Sequence, residues 1–202
     1  MKRWMVVGAA AVVGGAGLLV ADRATAGSQQ VGAVLRDPSG AAVGVVTFTR
    51  AGHGTRVTAL LRRNPYVAAG EFHGFHVHAN DDPANGTGCV ADPEAPASTW
   101  FVSADGHLAS PGQSHGDHAG DLPSPLVARD GSATLVFTTD RFTPAAVVGR
   151  AVVLHAGRDN FGNVPTGAAP DQYTPNSPAA STKTAATGNA GDRVACGIVR
   201  TR

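Results

Sequence analysis

Glycine or proline interrupts almost every stretch of this chain. Its 202 residues hold 26 glycines and 13 prolines, scattered rather than clustered. Very few unbroken runs reach the roughly 11–12 residues of an ordinary helix, which argues against coiled coils, helical bundles and long-helix repeats. What lies between the breaks is short and rich in β-branched residues. Val31–Leu35 is apolar and stops at the turn signal Asp37-Pro38-Ser39-Gly40. Val43–Thr49 follows and is broken by Ala51-Gly52-His53-Gly54. Thr55–Leu61 sets Val57, Ala59 and Leu61 on one face. Phe72–His78, Ser132–Thr139 and Val147–His155 complete the runs. Short strands at this spacing predict an all-β antiparallel sandwich or barrel. Two segments, Ala79–Pro125 and Ala156–Gly191, have no periodicity and exceed ordinary connections, so both read as functional loops. Within the second, the Ala/Ser/Thr/Pro-rich stretch Thr166–Thr187 reads as mobile chain.

The N-terminus carries a different pattern. Lys2 and Arg3 precede a wholly apolar or glycine run from Trp4 to Val20, and Ala24-Thr25-Ala26 then supplies a small-x-small site. This predicts a signal peptide over 1–26, a short linker over 27–30 and one domain over 31–202. The alternative is a retained anchor, because the apolar run touches the lower edge of a spanning helix. Either way the body is exported: extracellular, periplasmic or in the cell envelope. Cys89 and Cys196 are the only cysteines, and in that compartment they are expected to bond to one another. Lys+Arg 16 against Asp+Glu 15 gives a net charge of +1, which offers no footprint for nucleic acid.

Seven of the eight histidines fall between His73 and His155. His76 and His78, two apart on a strand, project to the same face. His107 follows in Asp105-Gly106-His107, then His115, His118 and Asp121 in His115-Gly116-Asp117-His118-Ala119-Gly120-Asp121. His155 ends a later strand, with Asp159 just beyond it. Imidazoles with a carboxylate and no free thiolate point to copper or zinc. Gly112-Gln113-Ser114-His115-Gly116 fits G-x-S-x-G. A nucleophile elbow, however, needs a strand before the serine and a helix after it, and the prolines on either side argue against both.

Three blocks in order carry a family resemblance: His73-Gly74-Phe75-His76-Val77-His78, then His118-Ala119-Gly120-Asp121-Leu122, then Thr187-Gly188-Asn189-Ala190-Gly191-Asp192-Arg193-Val194-Ala195-Cys196-Gly197. Val153-Leu154-His155 and Asp159 lie between the last two. The chain resembles the copper/zinc superoxide dismutases of the bacterial exported type, from Val31 to Val199. The resemblance implies a Greek-key β-barrel and dismutation of superoxide to dioxygen and hydrogen peroxide. It also implies copper on His76, His78, His107 and His155, and zinc on His107, His115, His118 and Asp121. Asp159 would link His76 to His115, and Arg193 would receive the superoxide anion beside the bridging His107. Cys89–Cys196 would match the family disulfide and His73 a structural histidine, while His53 matches nothing and reads as a solvated turn residue. A homodimer is left open. The alternative is a copper-binding or storage protein on the same scaffold. The chain departs from the family in three places: a stretch Val90–Val102 between Cys89 and His107, only Gly116 and Asp117 between His115 and His118, and a long Ala156–Gly191 loop.

Overall fold

The computed structural model describes residues 30–161 and 178–202. The expected signal peptide, its cleavage site and nearly all of the linker lie outside the described residues, as do residues 162–177. Among the described residues, eight strands form one antiparallel sheet. They are β1 (Val31–Arg36), β2 (Ala42–Ala51), β3 (Gly54–Leu61), β4 (Phe75–His78), β5 (Ala133–Thr139), β6 (Ala151–His155), β7 (Arg193–Ile198) and the short β8 (Arg200–Thr201). Their spatial order is β4-β6-β7-β1-β2-β3-β5, with β8 against β1.

The core follows from the period-2 pattern. Ala33 on β1 faces Val46 on β2, which faces Ala59 on β3, and all three are buried. Leu35, Phe48, Val57, Phe75, Val77, Val152 and Leu154 join them in one cluster. Opposite faces of the same strands turn outward, leaving Val34, Leu60 and Val136 about half exposed. The sheet curls around this cluster as a half-barrel whose edge strands are β4 and β5. The chain crosses between the two ends of the sheet three times, from β3 to β4, from β4 to β5 and back from β5 to β6, in the manner of a Greek key. The crossing from β4 to β5 is the long segment that contains His107, His115, His118 and Asp121.

Several boundaries differ from the sequence expectation. β4 starts at Phe75, because Phe72 makes only an isolated bridge to Leu126. β6 starts at Ala151, because Pro144–Val147 forms a 3-10 turn and Gly149 turns the chain at φ 83°. β7 and β8 were not anticipated as strands. The larger correction concerns the stretch expected to be mobile. Its end, Pro178–Thr187, is a helix, α1, with proline at its start and Gly188 closing it at φ 59°. No helix among the described residues is long and apolar enough to cross a membrane.

Cys89 and Cys196 are bonded across a separation of 107 residues. Closing a loop of that length is worth roughly 4.7 kcal/mol on chain-entropy grounds. The bond fastens the irregular segment after β4 to β7, in the middle of the sheet.

Candidate metal centre

β4 and β6 are neighbours in register, with Phe75 opposite Leu154 and His76 opposite Val153. Alternation sends Phe75 and Val77 into the core and His76 and His78 to the other side, where the irregular segment covers them. All four residues of β4 are therefore buried. Isolated bridges from His78 to His107 and from His76 to Asp121 lay that segment across the strand. His155, at the end of β6, completes the group.

Each imidazole of this group spends one nitrogen on the protein. His76 Nε2 donates to Asp159 Oδ2 at 2.6 Å. His78 Nδ1 donates to the Asp105 carbonyl at 2.8 Å and His155 Nδ1 to the Gly191 carbonyl at 3.0 Å. The other nitrogens, His76 Nδ1, His78 Nε2, His107 Nε2 and His155 Nε2, are buried with no hydrogen-bond partner. Ligand atoms of these four residues lie within 4.8 Å of one another. An unsatisfied buried polar atom costs about 1–3 kcal/mol, so four converging on one point are a cost that a cation would remove. The electrostatics agree. Burial, then the neighbouring imidazoles and Arg193, push His78 and His155 well below the usual histidine range. Burial also lowers His76, against the pull of Asp159. Neutral imidazole is the ligating form.

His107 faces two ways. Its Nε2 joins the first group, and its Nδ1 lies 2.9 Å from Asp121 Oδ1. The same oxygen lies 3.1 Å from His115 Nδ1 and 3.3 Å from His118 Nδ1, and the Nδ1 atoms of His107 and His118 are 3.3 Å apart. Four ligands about 2.0–2.1 Å from a tetrahedral zinc are about 3.3 Å from one another. These four spacings suit such an ion, while the ligand atoms that all lie within 4.8 Å of one another on this side are those of His76, His107, His115 and Asp121, which His118 joins through its approach to Asp121 and His107. The short span between His115 and His118 bends as required because Gly116 takes φ 94°, a backbone region that costs other residues dearly. The N–H groups of Gly116 and His118 donate to Asp121 Oδ2 at 2.7 and 3.1 Å, wrapping the turn around that carboxylate.

Asp159 stands between the groups. Its Oδ2 accepts from His76 and its Oδ1 from His115 Nε2 at 2.7 Å. Burial alone would raise both Asp121 and Asp159, but the bonds from the histidines outweigh it and hold both carboxyls far below the usual range. His115 responds in the opposite sense. Burial pushes it down, while Asp121 and Asp159 together lift it to about 9. Burial dominates at His107, which falls to about 4.

Arg193, at the start of β7, reaches a cleft of about 280 Å³ lined also by His78, His107, His155 and Trp100. Its Nη1 donates to the Phe101 carbonyl and its Nη2 to the Asp105 carbonyl, both at 2.6 Å. Phe101 and Asp105 are non-glycine residues at φ 56° and 64°, a conformation that costs of order 1–3 kcal/mol each. Asp105 is a participant that the sequence reading did not single out. Its carbonyl serves both His78 and Arg193, and its carboxylate accepts from the N–H groups of Asp81 and Asp82 and from Asn85. An aspartate before glycine is a turn signal, and that was the available clue.

Gly188, just past the end of α1, packs against both Asp159 and His115. A Cβ there would stand 2.2 Å from Asp159 Oδ1 and 2.3 Å from His115 Nε2. Helix α1 also receives the His115 N–H, on the Ala185 carbonyl at 2.5 Å. His73 lies apart from both groups, its ring nitrogens 3.2 and 2.8 Å from the carbonyls of His155 and Ala68. His53 is exposed in the β2–β3 turn. Ser114 lies in an irregular segment with no strand before it, so no nucleophile elbow forms.

Comparison with known proteins gives this geometry a lineage. Residues 42–199 match the family described as copper/zinc superoxide dismutase (SODC). A superoxide dismutase of the copper–zinc type from Mycolicibacterium paratuberculosis is 37% identical over 186 residues, covering 89% of this chain and 78% of the relative. One from Mycobacterium tuberculosis is 36% identical, covering 91% and 75%. In fold the chain is similar to the crystal structure of the clock protein EA4. That match has a TM-score of 0.59 and 24% identity over 87% of this chain and 96% of that one. The converging imidazoles, the disulfide and the curled antiparallel sheet therefore have one explanation: the chain belongs to the copper/zinc superoxide dismutase family.

Proposed function

We propose that this chain dismutes superoxide with copper held by His76, His78, His107 and His155, and zinc held by His107, His115, His118 and Asp121. The observation that carries the reading is the set of four buried imidazole nitrogens aimed at one point without a partner. Copper and zinc are the cofactors of the family. Bound copper supplies a one-electron couple, so that one superoxide is oxidised to dioxygen while a second is reduced and takes two protons to become hydrogen peroxide.

The chain's own residues do the rest. Arg193 is the cation at the cleft, and its charge draws a small anion toward the four imidazoles. The carbonyls of Phe101 and Asp105 fix the guanidinium, so the charge stays where the substrate arrives. His107 offers Nε2 to the first group while Nδ1 stays with Asp121, and a proton held at Nε2 is then within reach of a reduced substrate. Asp159 sets the orientation of His76 and His115 together, since a carboxylate behind an imidazole fixes its tautomer and raises its basicity. The disulfide and the mycobacterial relatives support an exported enzyme, and the N-terminal pattern supplies the signal. The homodimer left open by the sequence is read from the mass of the metal-loaded protein in solution.

A superoxide-consumption assay on protein carrying measured copper and zinc tests the reading. Catalytic consumption that disappears in His155→Ala supports the enzyme. Stoichiometric copper without turnover supports the storage alternative instead.

A further inference from the structure

The turn His115–His118 is held from inside by the Asp121 carboxylate, which takes its N–H groups. Its outer side meets Arg141. Arg141 Nη1 donates to the His118 carbonyl at 2.7 Å and Nη2 to the Gly116 carbonyl at 3.0 Å. A planar guanidinium presents such donors in a fixed fork, which a lysine cannot reproduce. The fork has a firm root. Arg141 lies two residues beyond the end of β5, and its N–H donates to Thr139 Oγ1 at 3.2 Å. The next residue, Phe142, is buried, its carbonyl accepts the Thr55 hydroxyl at 2.7 Å, and its ring packs edge-on to Phe48 at 6.0 Å. No carboxylate among the described residues pairs with Arg141, so its donors go to the turn.

We propose that Arg141 is a positioning residue for the zinc half of the centre. It braces the short turn against the far edge of the sheet, so that His115 and His118 face the same oxygen of Asp121. This rests on the zinc ligand set proposed above. Arg141 touches no ligand atom and acts through the backbone of the loop that carries them. Removing such an outer partner typically costs 10–100-fold in metal affinity. The carbonyls of Gly116 and His118 would turn to water in its absence, leaving the loop intact but no longer held in the ligating shape.

The test is zinc transfer from the copper- and zinc-loaded enzyme to a chelator, followed by stopped flow, in Arg141→Met and Arg141→Lys. Arg56→Met, on the exposed face of β3, is the control. Arg141→Met should release zinc about tenfold faster or more, Arg141→Lys should fall between, and Arg56→Met should match the parent. Cobalt(II) placed in the zinc site should show an altered visible spectrum in Arg141→Met, while the copper EPR spectrum keeps its parent form. The metal-stripped variant should melt where the stripped parent melts, so that the loss appears only in the rise that zinc confers. Unchanged release, or equal destabilisation of stripped and loaded protein, would overturn the proposal. Parent-like zinc retention in His118→Ala would instead overturn the ligand set, and with it the role given to Arg141.

Discussion

The two halves of the centre are built by opposite means. The proposed copper ligands His76, His78 and His155 stand on paired strands β4 and β6, their spacing set by sheet register. Each has one nitrogen fixed by a protein acceptor and the other left bare. The proposed zinc ligands all come from the irregular segment between β4 and β5, and they bond to one another through Asp121. A sheet can hold imidazoles in place before any ion arrives. A loop needs outside help, and here it comes from Asp159, Arg141, helix α1 and the bend at Gly116. His107 and Asp159 are the two residues that tie the halves together.

The comparison breaks most visibly by removing one ligand from each half. His155→Ala is expected to abolish copper retention and turnover while zinc stays bound, and His115→Ala to lower zinc far more than copper. Metal analysis after dialysis reads both, and equal loss of both metals in both variants would erase the distinction. Gly188→Ala attacks the join. Its Cβ would sit on both Asp159 and His115, at a φ of 59° that disfavours alanine. Strain of about 1–2 kcal/mol from the backbone and about 1–3 kcal/mol from overpacking should add. Chemical denaturation should therefore show a loss of about 2–5 kcal/mol, together with weakened zinc binding.

A gentler change uses pH. His115 is lifted to about 9, so in the stripped protein it carries a proton that zinc must displace. Zinc affinity should rise by up to about tenfold per pH unit toward pH 9 and level off above it. Zinc uptake at pH 7 in weak buffer should release about one proton, and uptake without release would contradict the charged state assigned to His115. The smallest expected effect is that of Arg193→Ala. It should slow superoxide consumption about tenfold and flatten its dependence on ionic strength, with copper still bound. An unchanged salt series would remove Arg193 from substrate capture.

What the sequence made legible divides along the same line. The alternation in His76-Val77-His78 and the break pattern around it were enough to expect strands with two imidazoles on one face. Strand periodicity is a local signal. The convergence of His107, His115 and His118 could be reached only through the family blocks, because no local rule says where a loop returns. Helix α1 was missed because alanine, serine and threonine between prolines look like a flexible tract. Pro178 at its start and Gly188 at its end were the overlooked marks. The parts played by Asp105 and Arg141 are hidden for another reason. Arg141 donates to backbone carbonyls, and Asp105 offers its own carbonyl to His78 and Arg193. A carbonyl's partner leaves no trace in residue type beyond the turn signal of Asp105-Gly106.

The difference between the halves is tested most directly by long-range proton–nitrogen NMR of the eight histidines in metal-stripped protein at pH 7. A copper half set by the sheet should show single neutral tautomers before any ion is added: a proton on Nε2 of His76 and on Nδ1 of His78 and His155. His115, between its two carboxylates, should carry protons on both nitrogens. Averaged tautomers at His76, His78 and His155, sharpening only when copper is added, would mean that the ion and not the sheet arranges them.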